Sequence, residues 1–393
     1  MVPEFLPGLE LSRRFYSEAV LPVLRRSLDG VPFSAARLGS GSEVLGFDTE
    51  RSTDHEWGPR LQLFLREEDL RQRREALWQA LSEQLPTSFA GYPTHFHAPD
   101  GGPVARMTET AGPVHHRVAI TSIAEWFGRE LGFDPLAGAT TLDWLAAPTQ
   151  RLAESTGGEL FCDGLGGLAE ARRRIRWYPD DLWRFALACQ WQRLSQEEAF
   201  VGRAGEVGDE LGSAVVAARL VRDLVRLAFL IERRWAPYAK WLGSAFGTLR
   251  LAPALEPHLR DALGATSWKA REAGLCAAYE IVGRAQNELA LIEIVDPSVR
   301  PYHDRPFLVL HAERFAGALR RSIADPVLAG LPLLGTVDQV VDSTDVLCSS
   351  ARTRQVIRAL YPDLPPAPGP GAVSGPAAGS VAPQSGSKRG DSA

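Results

Sequence analysis

"RLGSGSEVLGFDTERSTDHEWGPRLQLFL", Arg37–Leu65, is the densest chemical text in this 393-residue chain. Two glycine-serine pairs, Gly39-Ser40 and Gly41-Ser42, follow the apolar run VPFSAARL, and the stretch ends in a second apolar run, RLQLFL (60–65). Both runs predict strands, the first covering Phe33–Leu38 and ending in a turn. A glycine ahead of a helix start lets the backbone turn tightly and approach a ligand. The first free N–H groups of that start, with the Ser42 hydroxyl, form a seat for phosphate. Ser40, in the alternative phase, serves equally well, and Ser52 lies between the glycines and the acids that follow. Asp54 and Glu56 sit at i and i+2, and on an extended strand they point to one side. Two carboxylates on one side suit Mg2+, a hard cation that prefers oxygen ligands and substrate phosphates. His55 then points to the opposite side, and Asp48 and Glu50 read as solvated loop acids.

Outward from this stretch, residues 10–29 show helical spacing interrupted at Pro22. EEDLRQRREALWQALSEQL (67–85) is a charged helix. HRVAITSI (116–123) is a third strand, followed by a helix that Gly132 stops. From about Leu142 strand signals nearly vanish. Helical patterns then take over at 149–156, 167–178, 179–202, 212–235 and 267–293, with FLVL (307–310) a late strand. Strands grouped before helices predict an α+β chain of two domains. These are a mixed sheet with helices over 1–140 and a mainly α-helical domain over 141–363. The Pro/Gly/Ser-rich segment 364–393 lacks the apolar content to offset chain entropy and reads as a disordered tail.

Composition bounds the function. Hydrophobic residues make up 45% and charged residues 23%, values of an ordinary globular protein. A net charge of -5 argues against an extended nucleic-acid surface. Cys162, Cys189, Cys276 and Cys348 form no C-x-x-C pair, which speaks against a zinc ribbon or a disulfide framework and for a reducing cytoplasm. No run is long and apolar enough to predict a membrane span. His95, His97, His115 and His116 cluster loosely without the spacing of a zinc site.

The order strand, Gly41-Ser42, eleven residues, Asp54-His55-Glu56, strand resembles the signature of the nucleotidyltransferase superfamily, the fold shared with polymerase beta. The chain also resembles a bacterial family of domains of unknown function grouped with nucleotidyltransferases, from about Arg37 to Asp345. The likeness implies a nucleotidyltransferase-like sheet and transfer of a nucleoside monophosphate from an NTP, ATP first among them, to a hydroxyl acceptor. That acceptor is a small molecule or a protein side chain. Asp54 and Glu56 would be both catalytic and Mg2+-binding, with Gly41, Ser42, Ser40 and Ser52 on the nucleotide. Active members carry a third carboxylate on a later strand. His116–Ile123 carries none, and Asp100 and Glu109 lie only in the preceding loop. The alternative is therefore a catalytically degenerate member that binds nucleotide or a partner protein without turnover.

Three blocks of the helical half bear on this. SQEEAFVGRAGEVGDELGS (195–213) holds Glu197, Glu198, Glu206, Asp209 and Glu210, read either as a salt-bridged face or as the source of a general base. Its glycines at 202, 205, 208 and 212 oppose helix formation, which implies tight packing or a loop. Arg219, Arg222, Arg226 and Arg233 form a basic stripe, paired with nearby acids or facing phosphate, with Arg222 the nucleotide-binding candidate. Lys240, beside Tyr238 and Trp241, resembles the lysine-bearing segments of antibiotic nucleotidyltransferases and is a candidate triphosphate contact. GTVDQVVDSTDVL (335–347) reads as structural.

Overall fold

A computed structural model describes residues 4–98 and 104–365. Asp100, and the expected tail from residue 366 onward, lie outside the described residues.

The chain opens with helices α1 (Gly8–Phe15) and α2 (Leu21–Leu28), joined by a π-helical turn over Tyr16–Val20. Pro22 has no N–H to donate within the helix. Just before it the Leu21 amide reaches back to the Tyr16 carbonyl, so the helix widens by one residue rather than breaking. Strands β1 (Ser34–Arg37) and β2 (Arg60–Phe64) flank two short 3-10 turns, Ser42–Leu45 and Glu50–Asp54. Helix α3 (Glu67–Gln84) follows, then two small hairpins, β3 (Ser88–Phe89) with β4 (Tyr92–Pro93) and β5 (His95–His97) with β6 (Arg106–Thr108). Strand β7 (Arg117–Thr121) leads into α4 (Ile123–Leu131), which ends at Gly132 in the left-handed conformation that glycine adopts without strain.

The main sheet has the order β7-β2-β1-β8, with β2 parallel to β7 and β1 antiparallel to both its neighbours. Its fourth strand, β8 (Glu159–Asp163), follows α5 (Thr141–Ala146) and α6 (Thr149–Thr156). It lies where only helices were expected. Gly158, at φ +65°, lets β8 close on the end of β1: a Cβ there would stand 1.9 Å from the Arg37 carbonyl oxygen.

The remainder is helical: α7 (Leu168–Arg174), α8 (Asp180–Glu197), α9 (Phe200–Glu206), α10 (Glu210–Ile231), α11 (Ala239–Phe246), α12 (Ala252–Gly264) and α13 (Trp268–Glu288). A small hairpin, β9 (Arg300–Pro301) with β10 (Leu308–Val309), precedes α14 (Glu313–Arg321), α15 (Pro326–Gly330), α16 (Val337–Val340), α17 (Thr344–Leu347) and α18 (Ser350–Leu360).

Strand alternation divides the sheet between two cores. Ala35, Leu61, Leu63 and Val118 pack under α2 and α3 with Phe15, Leu24 and Leu81. Ala36, Leu38 and Phe64 face the other way, into a core that continues through Trp126, Trp144, Trp183 and Leu227 to Tyr361. One hydrophobic core thus runs across residue 140, and the helical half closes one face of the sheet. No helix of the described residues is long and apolar enough to cross a membrane.

Candidate functional site

Because β1 runs against β2 and β2 runs with β7, the end of β1 and the starts of β2 and β7 meet at one end of the sheet. The glycine-serine loop lies there. Gln62 pins its base, accepting from the Leu38 amide at 2.8 Å and donating to the Leu38 carbonyl at 3.0 Å. Gly41 has φ +146°, and a Cβ on it would fall 2.4–2.6 Å from atoms of Glu43, Arg60 and Arg37. Glycine is required because the space is filled by charge.

That charge forms an alternating ladder. Buried Arg37 pairs with buried Glu43 at 2.8 Å, and Glu43 pairs with Arg60 at 2.6 Å. Arg60 stands 3.8 Å from Glu56, which in turn binds Arg117 at 2.9 Å. Arg60 and Arg117 head the two parallel strands and are register partners. Burial and the neighbouring Arg60 lower the Arg37 guanidinium to about 10, against the pull of Glu43. Burial opposes ionisation of Glu43, but Arg37 and Arg60 hold its carboxyl below the usual range.

The acids of the opening stretch differ from expectation. Asp54 ends a 3-10 turn and Glu56 sits at φ +46°, so neither lies on a strand and they do not project together from an extended backbone. Gly58 (φ +133°) and Pro59 separate them from β2. Asp54 is exposed, with its carboxylate 2.9 Å from His55. Glu56 is clamped to Ala105 by two bonds: its Oε1 accepts from the Ala105 amide at 2.8 Å, and its amide donates to the Ala105 carbonyl at 3.0 Å. Asp48 is no free loop acid. It accepts from the Gly8 amide at 2.7 Å and the Trp57 indole at 3.1 Å, tying the loop to α1.

These donors do not fit a Mg2+ ion. Glu56 already faces two guanidiniums, and a divalent cation there would sit against like charge. No group of three or more His, Cys, Asp or Glu residues among the described residues is placed to hold a metal. β7, the later strand on which active nucleotidyltransferases carry a third carboxylate, has no acid and is headed by Arg117. Glu109 is exposed in the loop before that strand.

Of the remaining candidates, Ser40 and Ser42 lie on the loop itself. The amides of Ser40, Gly41 and Ser42 donate no hydrogen bond within the described residues. Ser52 is committed elsewhere, its hydroxyl accepting from the Thr49 amide at 3.0 Å in a capping box. Lys240 is exposed, 5.0 Å from the ring of Trp241, and Trp241 stacks on Phe47 at 5.4 Å. The α11 segment therefore does reach the turn beyond the loop. Arg222 does not face it. Its guanidinium binds Asp342 at 3.0 Å, Arg226 binds the Asp338 carbonyl at 3.0 Å, Arg219 binds Glu197 at 3.0 Å, and Arg233 stacks over Trp183. Arg219, Arg222 and Arg226 are thus engaged by the chain's own acids, and Arg233 by a tryptophan ring.

The acids of 195–213 are structural in the same way. Glu198 accepts from the amides of Leu310, His311 and Ala312 at 2.8–3.1 Å, at the start of α14. Burial pushes its carboxyl up to about 7 against those donors. Glu206 binds Arg305, Glu210 binds Arg271, and Asp209 caps α10 through the Gly212 amide. Gly202 and Gly205 meet the rings of Phe307 and Trp268, the tight packing their presence implied.

Sequence reasoning missed Glu43, Arg60 and Arg117. The available signal was the symmetry of an arginine at the first position of both parallel strands.

A family of domains of unknown function, DUF4037, matches residues 144–242. The match begins within α5 and ends within α11, so it takes in β8 and the Lys240-Trp241 pair but not the glycine-serine loop. Among curated proteins, none matches the chain.

Proposed function

We propose that the chain binds a nucleoside triphosphate, ATP first among them, at the Ser40–Ser42 loop and does not transfer from it. The strand order, with the loop at the end of β1 and acids ahead of β2, supports a nucleotidyltransferase-like fold. The free amides of Ser40, Gly41 and Ser42 suit phosphate oxygens, and the guanidiniums of Arg60 and Arg117 add charge-assisted donors in a planar fork. The observation that carries the reading is the Arg117–Glu56 pair. A carboxylate held by two arginines is a poor metal ligand but a ready exchange partner, since an incoming phosphate replaces it on Arg117.

Mg2+-dependent transfer of a nucleoside monophosphate to a hydroxyl acceptor is the competing reading. It requires Asp54 and Glu56 to converge, which needs Glu56 to leave Ala105 and both arginines. Calorimetric titration of ATP, GTP, CTP and UTP separates the two. The expected result is binding that Arg117→Ala weakens about 10-fold, the worth of one charge-assisted contact, and that Asp54→Ala leaves unchanged. Absence of binding by all four nucleotides at about millimolar concentration, a bound of about 4 kcal/mol, contradicts the proposal.

A further inference from the structure

The glycine-serine loop is tied to the helical half at both of its ends, and both ties lead to the start of α11. At the first end the Gly39 amide donates to the Glu154 carbonyl on α6 at 2.9 Å. One turn earlier on that helix, Gln150 donates to the Glu154 carboxylate at 2.7 Å and accepts from the Tyr238 amide at 2.8 Å. At the other end the Phe47 amide donates to the Ser42 carbonyl at 2.9 Å, and the Phe47 ring stacks on Trp241 at 5.4 Å. The Trp241 amide in turn donates to the Tyr238 carbonyl at 3.0 Å, so the two aromatic residues share one turn.

Tyr238 is the exposed member of this group. Its side chain is 46% exposed, while Phe47 and Trp241 are half-buried against each other. A single exposed tyrosine needs no explanation by itself. This one has its main chain fixed to the loop through the hydrogen bonds at Glu154 and Gln150 and one turn of α6, about 5 Å of helix axis. That path lies within the length of a nucleoside triphosphate. A ring with few torsions to lose, held at that distance from a phosphate seat, suits the flat face of a base.

We infer that Tyr238, with Trp241 beside it, is the platform for the base, and that the site takes purine nucleoside triphosphates. This rests on the phosphate seat proposed at Ser40–Ser42. A purine offers the larger π-face and gains more from the stack than a pyrimidine. Stacking does not read a base edge, so adenine and guanine are held alike. Exposed Lys240, 5.0 Å from the Trp241 ring, adds a cation on the same turn.

Calorimetric titration of the full chain with ATP, GTP, CTP and inorganic tripolyphosphate tests this in the wild type, Tyr238→Ala and Tyr238→Phe. ATP and GTP are expected within about 3-fold of each other and about 10-fold tighter than tripolyphosphate, the worth of one aromatic stack, with CTP between. Tyr238→Ala brings ATP to the level of tripolyphosphate, leaves tripolyphosphate itself unchanged and keeps the thermal midpoint, because the side chain is exposed. Tyr238→Phe keeps the preference for ATP. Tripolyphosphate that binds as tightly as ATP, or a preference for ATP that Tyr238→Ala leaves intact, overturns the platform while the phosphate seat stands. CTP as tight as ATP overturns the purine assignment. Binding of neither ATP nor tripolyphosphate overturns the seat and the platform together.

Discussion

Replacing Glu43 with glutamine strikes the ladder at its most buried rung. Glu43 is 1% exposed and its Oε1 accepts from four nitrogens, Nε and Nη2 of Arg37 and Nε and Nη2 of Arg60, at 2.6–3.0 Å. Glutamine keeps the shape but removes the charge between Arg37 and Arg60, which then repel each other with the 3.8 Å contact of Arg60 to Glu56 as the remaining ion pair. Removing one partner from a buried ion pair costs about 3–5 kcal/mol. At about 2.1 cal/mol/K per residue of unfolding entropy, a chain of this size loses about 5 °C of thermal midpoint. Differential scanning calorimetry at pH 7 measures it. The pH dependence has a fixed sign. A carboxyl held below its ordinary value of 4.5 stabilises the fold fully above that value, and the contribution is lost as pH falls through its folded-state value. Glu43→Gln therefore approaches wild type in acid. A Glu43→Gln protein within about 1 kcal/mol of wild type at pH 7 refutes the claim that this carboxylate holds the loop, since ordinary surface changes fall within about 0.5 kcal/mol.

Other outcomes follow from single sites. His116 accepts from the Val118 amide at Nδ1, so its proton sits on Nε2 and is donated to the Trp78 carbonyl at 3.1 Å. Burial holds this imidazole at about 4, so stability falls as pH drops from 6.5 toward 4, by on the order of 3 kcal/mol; imidazole NMR should show His116 neutral at pH 5. Gly205→Ala drives a methyl to 2.0 Å from Trp268 and is expected to cost about 1–3 kcal/mol in urea denaturation. Gly128→Ala, inside α4 with open space around it, is expected to stabilise by about 0.5–1 kcal/mol in the same assay. Glu198→Ala leaves the amides of Leu310 and Ala312 buried without partners and should cost about 2–4 kcal/mol, read by calorimetry.

The strands around the glycine-serine loop were legible because period-two apolar runs and glycine punctuation are local signals. β1, β2, α3, β7 and α4 fall where those signals place them. β8 was not, because ELFCD is five half-buried residues that form a strand only by pairing with β1, whose partners lie 122 to 129 positions earlier (Arg37 with Glu159, Ser34 with Asp163). The backbone of Asp54 and Glu56 was misread for a local reason. Gly58-Pro59 is a turn signal that keeps the strand from starting before Arg60, and it outweighs the alternation of the two acids. The acids that pair with the arginine stripe on α10 could not be read from its neighbours along the helix, because Asp338 and Asp342 are more than 100 residues away. Spacing along one helix shows which charges share a face. It does not show which distant acids fold back onto that face.

The central claim is a nucleotide site at Ser40–Ser42 that works without a metal or turnover. Titration of ATP into the wild-type chain, once with Mg2+ and once with a chelator, followed by assay for pyrophosphate, tests it most directly. The expected result is an affinity that agrees within about 3-fold between the two, a difference of about 0.7 kcal/mol, and no pyrophosphate released. Binding that vanishes with the chelator and with Asp54→Ala, or pyrophosphate released in step with a nucleoside monophosphate adduct, contradicts it.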